Sequence, residues 1–483
     1  MPFEPVIGLE IHAQLLTATK IFCACSTAFG APPNSHVCPV CLGLPGALPV
    51  LNQRAVEHAV RTAVALECTV HEASIFARKN YFYPDLPKGY QISQYEEPLA
   101  TDGCVEYLDA GVSRRVRIMR VHMEEDAGKS IHDGFPDSGR NTYLDFNRSG
   151  VPLVEIVTQP DLRSPSEASR FFQRLRGTLL AAGVNDGNME EGSLRCDANV
   201  SVRPRGAEAL GVKVEIKNLN SFRFVERALD YEVRRQSSLL EGGGAVVQET
   251  RLWDVAGGRT VSMRSKEEAH DYRYFPDPDL PPLVLDPDWV AGVRGSMPEL
   301  PEARKRRFMA DHGLPERDAA QLADDHELAG FFEQTAAAAK NPRAAANWIM
   351  GPLARHMKTD GLRVGDVRTT PAALGALIRL IDSGTLSNSA AREVFERMAD
   401  TGESPDAIVE AEGLSQIGDA GELAAVVRQA LAENPAAVSK YRAGKTGTLG
   451  FLVGQVMRAT GGQANPRMVS DLLKSALDAP EKE

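Results

Sequence analysis

The chain has 483 residues, of which 43% are hydrophobic and 25% charged, a composition typical of a globular protein with room for about three domains. Its net charge of −11 excludes a protein that coats nucleic acid over its whole surface, so any contact with RNA requires a local basic patch. The sequence shows no signal peptide and no apolar run of about 18 residues, which predicts a cytoplasmic protein without a membrane span.

The first predicted element is a strand near the N-terminus. Apolar and polar residues alternate over residues 6–12, which places Glu10 and His12 together on the polar face. A carboxylate beside an imidazole on a rigid strand can bind a divalent cation or handle a proton. The alternative is an amphipathic strand whose polar face simply lies in water.

A cluster of four cysteines follows this strand. Cys23 and Cys25 are separated by one residue, Cys38 and Cys41 by two, and His36 is a possible substitute ligand. Two closely spaced pairs of thiols are the ligand pattern of tetrahedral structural zinc. The sequence therefore predicts a structural zinc ion on these four cysteines, and reduced thiols without metal are the alternative.

Two further predicted strands carry carboxylates. In residues 117–125 the odd positions form the apolar face and Glu125 continues it, whereas in residues 151–157 aliphatic side chains surround Glu155. A carboxylate in such surroundings is costly unless it is paired or bound to a metal. Either glutamate can also be a salt-bridged structural acid. Together with Glu10 they predict a site of hard ligands, which suits Mg²⁺ better than zinc.

A long alternating strand over residues 194–203 and a shorter one over residues 213–217 predict a sheet with one polar face. That face is either solvated or the floor of a cavity that holds a ligand. Asn218 begins the loop before a helix N-terminus, which is a natural place for phosphate. The candidate cationic partners of phosphate or carboxylate groups are Lys79, Lys88 and Arg195. Each of them can equally be an ordinary surface cation.

Helices are predicted in both halves of the chain. The strand-rich part contains two, over residues 166–181 and 222–240, and Ser221 is the expected N-cap of the second. Alanine-rich segments predict helices over residues 327–340 and 371–381.

Two breaks in the pattern suggest the domain limits. The proline-rich residues 275–282 cannot be helical and predict an extended linker. A second break runs from Thr401 to Gly418 and precedes a last helical unit. The predicted domains are therefore residues 1–295, 296–408 and 409–483.

The last unit contains a basic patch. Between residues 440 and 474 six basic residues face one acid, Asp471, which gives a local charge of +5. The basic residues are Lys440, Arg442, Lys445, Arg458, Arg467 and Lys474. Such a patch can bind RNA in spite of the acidic composition of the whole chain.

Several long segments, which together span essentially the whole chain, closely resemble the B subunit of the glutamyl-tRNA(Gln)/aspartyl-tRNA(Asn) amidotransferases. They are residues 6–12, 38–46, 81–90, 150–159, 187–193, 215–221 and 272–277. Runs of this length and unusual composition, such as Tyr-Phe-Tyr-Pro-Asp-Leu-Pro-Lys-Gly-Tyr at residues 81–90, are far more specific than a short motif.

The resemblance implies an α+β fold. A largely antiparallel-sheet cradle domain holds the kinase and transamidase site, and an all-helical domain and a small helical tail domain that contacts tRNA follow it. It implies a heterotrimeric carbon–nitrogen ligase with a glutaminase (the A subunit), which supplies ammonia through a channel, and a small third protein (the C subunit). The B subunit would use ATP and Mg²⁺ to phosphorylate the side-chain carboxylate of Glu-tRNA(Gln) or Asp-tRNA(Asn), and ammonia would then displace the phosphate.

The resemblance also implies roles for individual residues. The metal-binding residues of the family fall on Glu10, His12 and Glu125, whereas Glu155 is supported by the strand pattern alone. Members of the family differ in whether they carry the zinc cysteines, and this chain has all four. The other expected roles come from the residues themselves and not from the resemblance. The charge and position of the side chains make Arg195 and Asn218 the expected nucleotide contacts and Lys79 and Lys88 the expected catalytic lysines. The basic patch makes Lys440, Arg442, Lys445 and Arg458 the expected tRNA contacts.

Two other classes of protein compete with this interpretation. Composition and the basic tail alone would permit a non-enzymatic, zinc-containing tRNA-binding or regulatory protein. A self-sufficient amidase is the second alternative, but the Ser-Ser-Lys constellation and the glycine- and serine-rich signature of such an enzyme are not visible in the sequence.

Overall fold

The computed structural model describes residues 2–109, 112–263, 272–414, 420–460 and 464–478. The chain divides into two compact units, Met1–Arg304 and Lys305–Glu483. The first unit contains the strands and a few helices, and the second is helical, so the predicted α+β fold is confirmed. Within the described ranges no helix has both the length and the apolar character needed to cross a membrane.

A nine-stranded sheet forms the centre of the first unit. In spatial order its strands are β14 (Arg259–Ser262), β13 (Thr250–Asp254), β12 (Val214–Lys217), β11 (Leu194–Pro204), β1 (Phe3–Gln14), β10 (Pro152–Thr158), β7 (Val112–Glu125), β6 (Ala100–Asp109) and β2 (Thr69–Val70). All neighbouring pairs are antiparallel except β12 and β13, which run parallel. The five strands predicted from alternation are β12, β11, β1, β10 and β7, and they lie side by side at the centre of this sheet.

The remaining strands are short and form three small sheets. They are β3 (Ala73–Ser74), β4 (Phe76–Asn80), β5 (Tyr90–Gln94), β8 (Lys129–Ile131), β9 (Tyr143–Asp145), β15 (Phe275–Pro276) and β16 (Leu283–Val284). The proline-rich segment is extended, as predicted, but it does not hang free as a linker would, because it is hydrogen-bonded to the first unit. Phe275 pairs with Arg78 of β4, and the buried carboxylate of Asp277 accepts a 2.9 Å hydrogen bond from Arg78 Nε.

Four helices complete the first unit: α1 (Gln53–Ala65), α2 (Pro165–Ala181), α3 (Phe222–Glu241) and α4 (Pro287–Gly295). Ser221 accepts a hydrogen bond from Phe224 N and caps α3, as predicted. The apolar residues of α2 and α3, among them Phe171, Phe172 and Leu229, are fully buried in one core with the apolar face of the sheet. The polar face of the central strands is therefore the face that remains for a site.

The second unit consists of helices. They are α5 (Pro301–His312, which begins at the end of the first unit), α6 (Glu316–Ala323), α7 (His326–Ala339), α8 (Pro342–Trp348), α9 (Ala354–Asp360), α10 (Pro371–Asp382), α11 (Asn388–Thr401), α12 (Pro405–Glu412), α13 (Ala420–Glu433), α14 (Pro435–Arg442), α15 (Thr448–Ala459) and α16 (Pro466–Asp478), with a π-helix at Ile349–Leu353 and a 3₁₀-helix at Val364–Asp366. The helices predicted over residues 327–340 and 371–381 are confirmed within one residue at each end.

The second unit contains two separate hydrophobic clusters. One is centred on Phe332 and Phe395 and extends to Val409 of α12. The other joins α13, α14, α15 and α16 and includes Leu423 and Leu473. The prediction of a loose segment from Thr401 to Gly418 is wrong in part, because Pro405–Glu412 form α12, whose Ile408 and Val409 pack into the first of these clusters. Residues 415–418 of the predicted break lie outside the described residues, and the three-domain division stays a prediction.

Candidate functional site

A row of charged side chains crosses four adjacent strands on the polar face of the large sheet. The strand register places His12 of β1 between Glu155 of β10 and Arg195 of β11, and it places Glu155 opposite His122 of β7. The Nε2 atoms of His12 and His122 lie 3.4 and 3.2 Å from Glu155 Oε2. Glu124 Oε1 lies 3.4 Å from His12 Nε2. Residues far apart in the sequence therefore meet through strand pairing.

Two overlapping groups in this row have the composition of a metal site. Glu10, His12 and Glu155 offer ligand atoms that all lie within 4.8 Å of one another, and so do His122, Glu124 and Glu155. We call these five residues the acid–histidine cluster. Of the four sequence-predicted magnesium ligands, the structure brings together Glu10, His12 and Glu155.

The protonation behaviour of the cluster shows that it favours added positive charge. Burial, and then the negative charge of Glu155, raise the pKa of Glu10 to about 8. Burial opposes charging of His12, but Glu155 and Glu124 outweigh it and raise the pKa of the imidazole to about 9. Burial would also raise the pKa of Glu155, yet His122 and His12 hold it well below its ordinary value. A divalent cation would supply the same positive charge as these protons, so the donor set fits Mg²⁺.

Lys79 of β4 reaches this cluster from a neighbouring sheet. Its ammonium lies 5.0 Å from the centre of the Tyr272 ring. Burial opposes its charge, but the negative charges of Glu124 and Glu155, together with Tyr274, raise the pKa of Lys79 above its ordinary value. Lys79 is therefore a half-buried cation beside the carboxylates, positioned where an anionic group from solvent can compete for it.

Arg195 continues the row on its other side. Its Nη2 donates to Asp126 Oδ1 over 3.0 Å, and Gln14 Nε2 donates to Asp126 Oδ2 over 2.9 Å. Burial would raise the pKa of Asp126, but Arg195 and Arg148 outweigh it and lower that pKa. The guanidinium of Arg195 is thus held in a fixed orientation beside His12.

The polar face extends along β11 and β12 to Asn218. Lys217 Nζ lies 2.8 Å from Asp197 and 2.7 Å from Glu215, so its charge is shared by two carboxylates. Asn218 has a φ of +70°, and its Nδ2 donates to Trp253 O over 3.2 Å. The Asn218 side chain therefore holds the turn that leads to α3.

The structure does not bring Glu125 into the acid–histidine cluster. Successive side chains of β7 alternate between the two faces of the sheet, so Glu125 points away from Glu124. Its carboxylate binds the ammonium of Lys88 and accepts a 2.8 Å hydrogen bond from Ile92 N. The pair borders a cavity of about 220 Å³. The other residues of this cavity include Lys20, Cys23, Cys41, Gly43 and Tyr90.

The four cysteines come together as the sequence predicts. The Sγ atoms of Cys23, Cys25, Cys38 and Cys41 all lie within 4.8 Å of one another, and those of Cys38 and Cys41 are 3.9 Å apart. Tetrahedral zinc with bonds of about 2.3 Å places its sulfur ligands about 3.8 Å apart, so the arrangement fits this ion. The described group contains four thiols and does not include His36.

The candidate tRNA contacts lie on the surface of the last four helices. Lys440 and Arg442 end α14, Lys445 follows in the turn, and Arg458 lies near the end of α15. All four side chains are exposed. Arg442 Nε also donates to Leu477 O over 3.4 Å, so part of this side chain has a structural role.

The sequence interpretation missed His122, Glu124 and Asp126. The alternation that places Met123 and Glu125 on the apolar face of β7 also places His122 and Glu124 on the polar face, so a signal existed for these two residues. The sequence contains no local signal for the contact between Asp126 and Arg195. The two residues come together only because β1 and β10 lie between the strands that carry or precede them.

Comparison with known proteins defines the class to which this fold and site belong. The family described as "GatB/GatE catalytic domain" matches residues 5–291, and the family described as "GatB domain" matches residues 330–477. These matches cover the sheet unit with its acid–histidine cluster and most of the helical unit. They define the chain as one component of an amidotransferase.

Full-length relatives give the particular family. Two relatives are named as the B subunit of aspartyl/glutamyl-tRNA(Asn/Gln) amidotransferase, one from Thermodesulfovibrio yellowstonii and one from Myxococcus xanthus. Each is 53% identical to this chain over 98% of its length. The match covers 99% of the Thermodesulfovibrio protein and 98% of the Myxococcus protein. A protein of the same name from Anaeromyxobacter sp. strain K is 54% identical over 98% of this chain and 99% of its own length. The chain belongs to the family of aspartyl/glutamyl-tRNA(Asn/Gln) amidotransferase B subunits.

Proposed function

We propose that this chain converts mischarged Glu-tRNA(Gln), Asp-tRNA(Asn) or both to the correctly charged Gln-tRNA(Gln) and Asn-tRNA(Asn). The observation that carries the proposal is the acid–histidine cluster, flanked by Lys79 and Arg195, on the polar face of a domain that matches an amidotransferase catalytic domain. The names of the relatives, which specify aspartyl- and glutamyl-tRNA, support this choice of substrate.

The reaction has two steps. An oxygen of the substrate side-chain carboxylate attacks the γ-phosphorus of ATP, and the bond from that phosphorus to the departing ADP breaks. Ammonia then attacks the carbonyl carbon, the bond from carbon to the phosphate oxygen breaks, and the nitrogen loses a proton to give the amide. The first step is needed because a carboxylate has only oxide as a leaving group, whereas phosphate leaves readily.

The residues of the site match these needs. Glu10, His12 and Glu155, with Glu124 and His122 beside them, would hold Mg²⁺, which neutralises charge on the transferring phosphoryl group. Lys79 and Arg195 would orient the phosphate and carboxylate oxygens, because both cations are held beside the cluster. Asn218 and the N-terminus of α3 would contact the nucleotide. Glu125 and Lys88, on the other face of β7, would act as a second catalytic pair, and Glu125 remains a proposed metal ligand.

The remaining parts of the chain would support this reaction. A glutaminase (the A subunit) would supply ammonia and a small C subunit would complete the heterotrimer, in keeping with the naming of the relatives as B subunits. The four cysteines would bind structural zinc. Lys440, Arg442, Lys445 and Arg458 would contact tRNA, because exposed cations are suited to the phosphate backbone.

The test is to reconstitute the complete heterotrimer and assay Glu155→Gln and Glu10→Gln with ATP, glutamine and Glu-tRNA(Gln). Each substitution keeps the size of the side chain and replaces a carboxylate ligand of the cation by a neutral amide, so amide formation and tRNA-dependent ATP cleavage should fall by roughly 10²-fold or more. Basal glutaminase activity should survive, since that reaction takes place on another protein of the complex. Measured rates of all three reactions check the prediction.

Glu4→Gln is the matched control. Glu4 lies on the same strand as Glu10 and His12 but pairs with Arg203 over 2.7 Å, so its loss should leave amide formation near the wild-type rate. Near-normal amide formation by both cluster variants would reject the proposed site. Glu125→Gln, assayed in parallel for its Mg²⁺ dependence, decides whether that glutamate binds the metal or acts with Lys88 alone.

A further inference from the structure

A line of tyrosines leads away from the acid–histidine cluster. The ring centres of Tyr81 and Tyr272 are 5.9 Å apart and those of Tyr272 and Tyr274 are 6.0 Å apart, both in edge-to-face geometry. Tyr274 then stacks on Tyr95, with ring centres 4.1 Å apart and planes within 3° of parallel. We call these four residues the tyrosine wall.

The wall joins the cluster to the surface of the protein. At its inner end the Tyr272 ring lies against the ammonium of Lys79. The Tyr274 ring contacts Tyr272 edge to face, so it continues the wall outward from Lys79. At the outer end Tyr95 is 45% exposed. A stacked aromatic pair that is open to solvent can accept a further flat ring.

Arg120 supplies a second, independent feature at the same place. It precedes His122 by two residues on β7 and so shares the polar face. Its guanidinium carbon lies 5.9 Å from the centre of the Tyr95 ring, and its Nη1 donates to Tyr95 O over 3.5 Å. Its Nε is buried and has no hydrogen-bond partner among the described residues. Arg120 as a whole is only half-buried, so its positive charge can attract a phosphate group that lies at the surface.

We propose that Tyr95, Tyr274 and Arg120 bind the adenosine 5′-phosphate moiety of a substrate. The base stacks on the exposed part of Tyr95, and its phosphate accepts from Arg120. This inference rests on the proposed function, in which two substrates carry the moiety: ATP, and the 3′-terminal adenosine of the aminoacyl-tRNA. In both cases the reacting end extends along the wall toward Lys79 and the acid–histidine cluster.

Exposed stacking alone would not support this inference. Phe135 and Tyr143 also form a partly exposed stacked pair, with ring centres 4.8 Å apart. Among the contacts of the described residues, however, that pair has neither a cation over its rings nor a link to the cluster. The arginine with an unused donor and the continuous path to Lys79 distinguish the wall, and the second pair offers a matched control.

The test measures amide formation by the complete heterotrimer over a range of ATP concentrations and, separately, of Glu-tRNA(Gln) concentrations. Tyr95→Ala and Arg120→Met should each raise KM for one of the two substrates, by roughly 5- to 150-fold for loss of a stacked base. Tyr95→Phe keeps the ring and should restore most of the affinity that Tyr95→Ala loses. Phe135→Ala removes a ring of similar exposure, 39% against 45% for Tyr95, and should change neither KM. Thermal unfolding of each variant checks that it is folded.

The substrate whose KM rises identifies the source of the adenosine. Unchanged KM values for both substrates in Tyr95→Ala and in Arg120→Met would overturn the inference, as would a fall in kcat alone, because a binding surface acts on affinity. Failure of the proposed function is a separate result: in that case the unmodified heterotrimer itself would form no amide from ATP, glutamine and mischarged tRNA.

Discussion

At the scale of single residues, Lys20 shows how a buried charge supports the cysteine cluster. Its side chain is fully buried, and its ammonium donates to the carbonyl oxygens of His36 over 2.7 Å and Phe146 over 3.2 Å. These bonds fasten the cysteine loop to a segment that is distant in sequence. The hydrogen bond from Cys23, and then the Cys38 amide and the charge of Lys20, outweigh burial and lower the pKa of the Cys41 thiol to about 4. A lowered thiol pKa favours the thiolate, the form that binds zinc.

Removal of one thiol should therefore remove the metal. Native protein prepared without chelator is expected to contain about one equivalent of zinc per chain, and Cys41→Ser should contain none. Because the binding energy of structural zinc is part of the folding free energy, the variant should also melt at a lower temperature. Elemental analysis and thermal unfolding measure the two effects.

Cys104→Ser is the control for this measurement. Cys104 lies outside the cluster, where its Sγ contacts Glu67 and Arg115, so its loss should leave the zinc content unchanged. Absence of zinc from the native, unchelated protein would show that the four thiols are reduced and unliganded.

The sequence predicted some of these residues and not others, for a physical reason. Glu10 and His12 were identifiable because alternation along one strand needs only local information. Glu155 was identifiable because a carboxylate among aliphatic residues requires a partner. Which partner it has depends on the order and register of strands, and no local pattern contains that information. The different surroundings of Glu124 and Glu125 follow from the alternation of β7 combined with the position of Lys88 in the fold.

At the scale of elements, the buried carboxylate of Glu232 connects α3 by a hydrogen bond to β14 at the end of the sheet. Glu232 is fully buried; Arg235 donates to it over 2.6 Å, and Thr260 of β14 donates over 2.8 Å. The long helices and strands were predictable because each has its own periodicity and caps. Two-residue strands such as β2 and β16 were not, because their partners alone define them.

Glu232→Gln should destabilise the protein by roughly 3 kcal/mol at neutral pH, since it removes the buried charge that pairs with Arg235 and Arg251 and leaves Arg235 only the longer contact with Glu249, at 3.6 Å. Asp230→Asn on the same helix is the control. Asp230 pairs with Arg234 at the surface, and loss of an exposed pair should cost less than about 1 kcal/mol. Denaturant unfolding of the two variants and the wild type gives both values.

The pH dependence of this effect follows from the pKa of Glu232. Burial would raise that pKa, but the hydrogen bonds from Arg235 and Gln236 outweigh burial and lower it below its ordinary value. A lowered carboxyl pKa stabilises the fold above the unfolded value of about 4.3, and this contribution is lost as the pH falls through the folded value. The difference in stability between wild type and Glu232→Gln should therefore shrink below about pH 4. A constant difference down to pH 2 would mean that the charge of Glu232 is not what stabilises α3.

At the scale of the whole molecule, most of the buried apolar residues that the structure describes lie in three separate clusters. The first lies in the sheet unit, and the other two lie within the helical unit. Ile408 and Val409 of α12 belong to the middle cluster, whereas Leu423 begins the last one. A truncation that preserves the middle cluster must therefore retain α12, although the predicted domain limit falls at its centre.

Truncation after Leu414 should weaken tRNA binding by the heterotrimer and leave the sheet unit folded and the complex assembled. The full-length triple variant Lys440→Glu, Lys445→Glu, Arg458→Glu should also bind more weakly. Its affinity should depend less on salt, because each lost phosphate contact removes about 0.7–0.9 from the slope of log K against log salt. Binding of labelled tRNA at several salt concentrations measures both the affinity and the slope.

Arg392→Glu is the control for charge. Arg392 is an exposed cation on α11, outside the predicted tRNA-binding tail, and its reversal should leave the salt slope unchanged. If the truncated chain and the triple variant bind tRNA as tightly as the wild type, the tail does not contact tRNA.

The row from His122 through Glu155 and His12 to Arg195 also constrains how the chain acquires its activity during folding. Each of these four residues comes from a different strand, and the strands are separated by long stretches of sequence. Closing such loops is slow, so the row forms late compared with any helix. A slip of β10 by a single residue would turn Glu155 into the apolar core and leave both histidines without their shared partner. Such a misfolded chain would keep most of its secondary structure and yet lack the row, so binding of the proposed Mg²⁺ would report on correct strand register.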